Sequence, residues 1–209
     1  MHVRATAGGE LATQNGRLVH DADGWISLGG RSASDSIVVS CPVGTDVVIG
    51  TSSGRVEISG QAGAVRVMTM SGRVRVEAAV SADIRSKSAE TRIDHCQGDC
   101  RVVTASGAVV VGDAGQVNIA THSGSVDIGT AAGGLVRSVN GHVRIGAMGA
   151  MALSVQTVSA SVDITVPRGV RPRGTQRSRS GSVRVDCPPG GDAVIDVVTQ
   201  SGSIRIAER

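Results

Sequence analysis

Thr69-Met70-Ser71-Gly72-Arg73-Val74-Arg75-Val76 and Thr121-His122-Ser123-Gly124-Ser125-Val126-Asp127-Ile128 are two copies of one sentence. In each, a hydroxyl residue precedes Ser-Gly, and two β-branched residues then alternate with polar ones. Alternation with period two is the pattern of a strand with one buried face. The small Ser-Gly pair is a corner, since glycine tolerates backbone conformations closed to other residues. The pattern recurs on Ser53, Ser71, Ser88, Ser106, Ser123, Asn140, Ser159, Ser180 and Ser201, at steps of 17 to 21 residues. A weaker pair, Asn15 and Ser34, extends it backwards.

Stacking the copies on this anchor gives columns. Five residues after it stand Ile58, Val76, Ile93, Val111, Ile128, Ile145, Ile164, Val185 and Ile206, and three after it the column is nearly all Val or Ile. Between these two columns lie charges such as Glu57, Arg75, Arg92, Asp127, Arg144, Asp163, Arg184 and Arg205. Four before the anchor are Ile49, Val67, Ile84, Val102, Ile119, Val136, Val155, Gln176 and Val197; two before it, every residue is Thr or Ser. One such unit cannot bury its own apolar face, so copies must stack. The columns predict an all-β, single-domain β-solenoid, or β-helix, of about eleven coils with two short strands each. At about 4.8 Å per coil the rod is about 50 Å long. Residues 1–40 read as degenerate coils, 41–165 as regular ones, and 166–209 as longer coils with an Arg-rich segment. Hydroxyl ladders are expected along the Thr/Ser column.

Composition agrees. The 209 residues include 33 Val and 13 Ile but 5 Leu, 29 Gly, one Trp and no Phe or Tyr. Small branched side chains suit pleated strands and a thin core. Net charge is +3 at pH 7, and Lys87 is the one lysine. Residues 167–209 hold eight Arg against four acids. No apolar run is long enough for a membrane-spanning helix, and Met1 to Glu10 lacks the pattern of a secretory leader. A cytoplasmic location is therefore expected, with envelope association through a partner.

The T-x-S-G-x-V-x-V copies resemble a bacterial adhesin-like family of β-strand-repeat domains of unknown function. Cys41-Pro42-Val43-Gly44, Val166-Pro167-Arg168-Gly169 and Cys187-Pro188-Pro189-Gly190 are similar to that family's V-P-x-G lead-in. The resemblance covers the chain from about Gly30. It implies a β-solenoid, brings no catalytic residues, and suggests an envelope-related setting. A fold of this kind does not by itself fix a function.

Each candidate site competes with a packing role. Gly50-Thr51-Ser52-Ser53-Gly54 matches G-x-S-x-G, but that chemistry needs a strand–turn–helix elbow, and here the match lies inside the repeat. His95, Cys96 and Cys100 have loose zinc spacing. Their columns offer another reading: Cys96 shares its place with Ala79, Ala114 and Ala131, and Cys100 with Val47, Val65 and Val117. A local disulfide between the two is a further alternative. Cys41 and Cys187 fill the slot of Val166. His122 and His142 fall on different columns, while Asp127, Arg144 and Asp163 suit cross-coil ion pairs.

The charge cluster is Arg168, Arg171, Arg173, Arg177 and Arg179. Its coil also breaks the core pattern, with Gly174 and Gln176 where others have Ile or Val. If it remains a strand, Arg173, Arg177 and Arg179 alternate outward as a basic stripe able to meet a protein or an anionic surface. Aromatic stacking platforms and duplex-reading motifs are absent, so sequence-specific nucleic-acid binding is not expected. The expected function is a non-catalytic, adhesin-like scaffold or binding surface without a cofactor. A second reading is a self-assembling, bactofilin-like filament or cytoskeletal scaffold, joined through strand edges around Leu11–His20 and Ser201–Ile206, with Ala207-Glu208-Arg209 too short to cap that end. A third is a metal- or thiol-dependent site at His95, Cys96 and Cys100.

Overall fold

The computed structural model describes residues 2–7, 26–28, 35–40 and 42–209. Twelve strands form one sheet: β1 (His2–Ala7), β2 (Ile26–Leu28), β3 (Asp35–Ser40), β4 (Val47–Ser86), β5 (Glu90–Thr104), β6 (Val109–Ser123), β7 (Val126–Val166), β8 (Pro172–Arg173), β9 (Gln176–Ser180), β10 (Val183–Asp186), β11 (Ala193–Ser201) and β12 (Ile204–Glu208). No helix occurs among the described residues. The long strands bend through several corners, so that β4 to β7 wind as a parallel β-solenoid of about seven turns.

The columns are real. Val74 pairs with Thr91 and Thr91 with Val109; Val76, Ile93, Val111 and Ile128 follow one another likewise. Ile58, Val76, Ile93, Ile128, Ile145 and Ile164 are all at most 1% exposed. Both inward rows of a turn enter one core with Ile49, Val67, Ile84, Val102 and Ile119. At the corner, Gly72 has φ +116°, and a Cβ there would lie 1.9 Å from the Gly54 carbonyl oxygen of the turn below. That combination of backbone angle and contact explains the glycine after the anchor.

The hydroxyl column behaves differently from the expected ladder. Among the described residues one hydroxyl-to-hydroxyl contact crosses turns in this column, with the Ser86 hydroxyl donating to Thr104 Oγ1 at 2.9 Å, while Ser178 and Thr199 reach the carbonyls of Gly202 and Val158 on neighbouring rungs. Thr51, Thr69, Ser138 and Thr199 instead donate to the carbonyl two residues ahead, at Ser53, Ser71, Asn140 and Ser201. A hydroxyl two residues before a tight corner finds that local acceptor closer than its neighbour on the next turn. The column therefore braces the corners at Ser53, Ser71, Asn140 and Ser201, and leaves Thr121 and Thr157 Oγ1 buried without a partner.

Eleven sequential coils is more than the structure shows, and the reason lies at the ends. The coil around Leu11–His20 lies outside the described residues, as do Cys41 and the anchors Asn15 and Ser34. β1 runs antiparallel, between β3 on one side and residues 56–59 of β4 on the other. At the opposite end the rungs are out of sequence order. β11 pairs with β7, Val197 beside Val155, and on its other edge with β9, Val197 beside Gln176. β12 likewise lies between β7 and β10, Ile206 beside both Ile164 and Val185. Residues 193–208 thus fill the penultimate rung, and the Arg-rich segment forms the outermost one.

This placement accounts for the broken pattern. Gln176 ends the core with a polar group, its Nε2 donating to the Ile195 carbonyl at 2.8 Å. Val183 and Val185, which would be wholly buried in an inner rung, are 43% and 42% exposed. Ser201–Ile206 is not an open edge, because both of its sides are paired. The final residues are strapped down as well. Arg209 N donates to the Val166 carbonyl, Arg168 Nε to the Arg209 carbonyl, and Gly169 N to Glu208 Oε1.

Candidate functional site

The rod has two outer faces with different electrostatics. One is the set of residues alternating with the inward columns after the anchor. There Arg73 meets Glu90 at 2.9 Å, Arg75 and Arg92 meet Asp94 at 3.0 and 2.7 Å, and Arg144 meets Asp127 at 3.3 Å. His142 meets Asp163 at 3.1 Å, and Arg184 meets Asp186 at 2.9 Å. The Arg144–Asp127 contact is the expected cross-coil pair; Asp163 takes His142 instead. Exposed pairs of this kind contribute little stability, but they cancel the charge of this face.

The opposite face is built from residues one and three before the anchor. Its register runs Arg85, Val103, Ala120, Arg137 through β4 to β7, and Gln156, Val198, Arg177 from β7 through β11 to β9. The neighbouring column holds Lys87, Ala105, His122, Val139, Val158, Gln200 and Arg179. Neither column contains an acid. Asp83 and Asp196, at the border of this face, are already engaged: Asp83 with Arg66 and Arg85, Asp196 as acceptor from Thr175 N. Met68, Met70, Val158 and Val198 are 47%, 56%, 37% and 48% exposed. A shallow cavity of about 380 Å³ opens here among Val103, Ala120, His122, Arg137, Val139 and Val158. This is an apolar strip with cations set into it.

The five clustered arginines separate into two groups. Arg168 holds the chain end, and Arg171 Nε pairs with Asp192 Oδ2 at 3.1 Å. That pairing, with a second hydrogen bond from Arg171 N, holds the Asp192 carboxyl below its usual range. Arg173, Arg177 and Arg179 are exposed on β8 and β9 and have no carboxylate partner among the described residues. Arg177 and Arg179 lie at the end of the acid-free face; Arg173 pairs with Val194, on the far side of the column that carries Asp83 and Asp196.

His95, Cys96 and Cys100 do not converge. Strand alternation turns His95 outward, where Nδ1 contacts Asp113 Oδ2, and turns Cys96 inward. Among the described residues no three His, Cys, Asp or Glu side chains are grouped to hold a metal ion. Cys96 and Cys100 are each 1% exposed and belong to the core. Cys187 is half-buried against the core at the end rung, in the Val166 slot as read. Its thiol is pushed up by burial, and further by Glu208 and Asp186. Gly50–Gly54 is continuous strand, with no helix to form an elbow. His122 and His142 lie on opposite faces.

The stripe was legible from its charge, but the apolar half of its face was not singled out. The signal was present: reading the outward columns for acids separates the two faces at once. Comparison with protein-family models, curated proteins and solved structures finds no match. No helix among the described residues is long and apolar enough to cross a membrane.

Proposed function

We propose that the chain is a non-catalytic, adhesin-like scaffold whose acid-free face binds an anionic macromolecular surface, envelope-related and reached from the cytoplasmic side. The observation that carries this reading is the exposure of Arg173, Arg177 and Arg179 without carboxylate partners among the described residues, with Arg177 and Arg179 on the two columns that hold no acid. Cations carried on a strand backbone that is already paired need no backbone ordering on contact, and the apolar strip between Arg137 and Arg177 adds area that desolvates readily. The filament reading retains one supporting feature, the free edge of β8 to β10 with Val183 and Val185 beside it.

Heparin, as a model polyanion, tests the proposal by affinity chromatography. The native chain is retained and released by salt, as screening requires. Changing Arg173, Arg177 and Arg179 together to Ala abolishes retention while the far-UV circular dichroism spectrum stays the same. Changing Arg75 and Arg92 on the neutralised face leaves retention intact. Equal retention of the triple variant refutes the assignment.

A further inference from the structure

The acid-free face is more than basic. Its rungs lie in register from Arg85 through Val103 and Ala120 to Arg137, and from Gln156 through Val198 to Arg177, with Arg137 Nε donating across the join to Gln156 Oε1 at 3.2 Å. At about 4.8 Å per rung, Arg85 and Arg177 stand about 29 Å apart along the rod. Beyond Arg85, Ser88 N donates to the Met70 carbonyl at 2.8 Å, which sets Met70 on the rung next to Lys87. Along this row, Lys87, Arg137, Arg177 and Arg179 have no carboxylate partner among the described residues. Interleaved with them, Met68, Met70, Val158 and Val198 are large apolar side chains left exposed. The charged column of the other face, from Glu57 to Arg205, holds no exposed large apolar side chain. Uncompensated charge and bare apolar area therefore coincide on one side of the rod.

We propose that this face lies on a bilayer of anionic lipids, with Lys87, Arg137, Arg177 and Arg179 against the phosphates and Met68, Met70, Val158 and Val198 at the acyl boundary. This assignment rests on the anion-binding reading above and adds the lipid to it. A soluble polyanion is held by charge, and exposed Met and Val gain nothing from it. Stacked bases would need aromatic platforms, and the chain has no Phe or Tyr. A membrane interface rewards both halves of the face: its phosphates attract the cations, and the boundary beneath them takes up apolar side chains. Lys and Arg suit this border, since their stems lie along apolar surface while their heads reach the phosphates. Because the row runs along the rod, the rod lies parallel to the membrane plane. Binding is screened by salt, yet charge alone does not set its strength.

Vesicle flotation separates apolar contact from charge. The native chain floats with mixed phosphatidylcholine–phosphatidylglycerol vesicles and not with phosphatidylcholine alone. Met68→Gln, Met70→Gln, Val158→Thr and Val198→Thr, combined in one variant, keep every charge and alter side chains that are exposed, so the far-UV circular dichroism spectrum is unchanged. That variant binds the mixed vesicles about tenfold more weakly, while heparin retains it as it retains the native chain. Val158→Thr with Val198→Thr alone weakens vesicle binding about threefold and does not depend on the methionine sites. Equal vesicle binding by the native chain and both variants overturns the proposal, because the face then reads charge only. A native chain that heparin retains but mixed vesicles do not bind also overturns it, and leaves the anion-binding reading standing. Failure to bind either removes both.

Discussion

Two truncations, Ile206→Ala and Val185→Ala, test the out-of-order rungs. Ile206 is 0% exposed, with Ile164 on one side and Val185 on the other. Its truncation removes three carbons at about 0.8 kcal/mol each and leaves a cavity closed by a rung on both sides, for a total of about 3–4 kcal/mol. Val185 loses two carbons from a site 42% exposed and open to solvent, which costs about 1 kcal/mol. Sequential winding would exchange the two places. Val185 would then be enclosed and cost about 2–3 kcal/mol, while Ile206 at the end would cost about 1–1.5 kcal/mol. Urea unfolding followed by far-UV circular dichroism measures both. A Val185→Ala cost equal to or above that of Ile206→Ala refutes the rung order.

Two further outcomes follow from the same geometry. Val126, 1% exposed beside Val109, becomes Asp at a cost of several kcal/mol because the charge is buried without a partner, whereas Asp127→Ala next to it on the outer face changes stability by less than about 1 kcal/mol; equal effects in urea unfolding contradict the alternation. The Asp192 carboxyl titrates below its usual range because of Arg171, so its contribution is present at neutral pH and disappears as the pH falls through the depressed value. The difference in Tm between the native chain and Asp192→Asn is therefore largest near neutral pH and closes as the pH falls below the usual carboxylate range; a gap that does not change with pH contradicts the pairing.

The winding was legible because its cause is local. A residue at the column of Val76 is apolar for the same reason in every turn, and the eye finds the period without knowing the fold. The end was legible only in part. Gly174 and Gln176 announced that their rung is unlike the rest, but alternation is the same in a rung that is skipped and one that is not. Order along the rod is set by which edges pair, and Val197 fits beside Val155 as well as beside Gln176. The braced hydroxyl column was misread for a related reason: its chemistry is plain in sequence, but the competition between a carbonyl two residues ahead and a hydroxyl one turn away is decided by corner geometry. The arginine stripe needed only strand alternation. Its separation into three free cations and two structural ones needed Asp192 and the chain end to be placed.

Synthesis runs from the first residue to the last, and that direction conflicts with the rung order. Residues 171–186 leave the ribosome before 193–208, which form the seat they finally rest on. Until then the emerging segment either stays unseated or occupies the vacant ledge above Val155 and Ile164, and must be displaced from it. Residues 193–208 thus take a place between two rungs that both precede them in the chain.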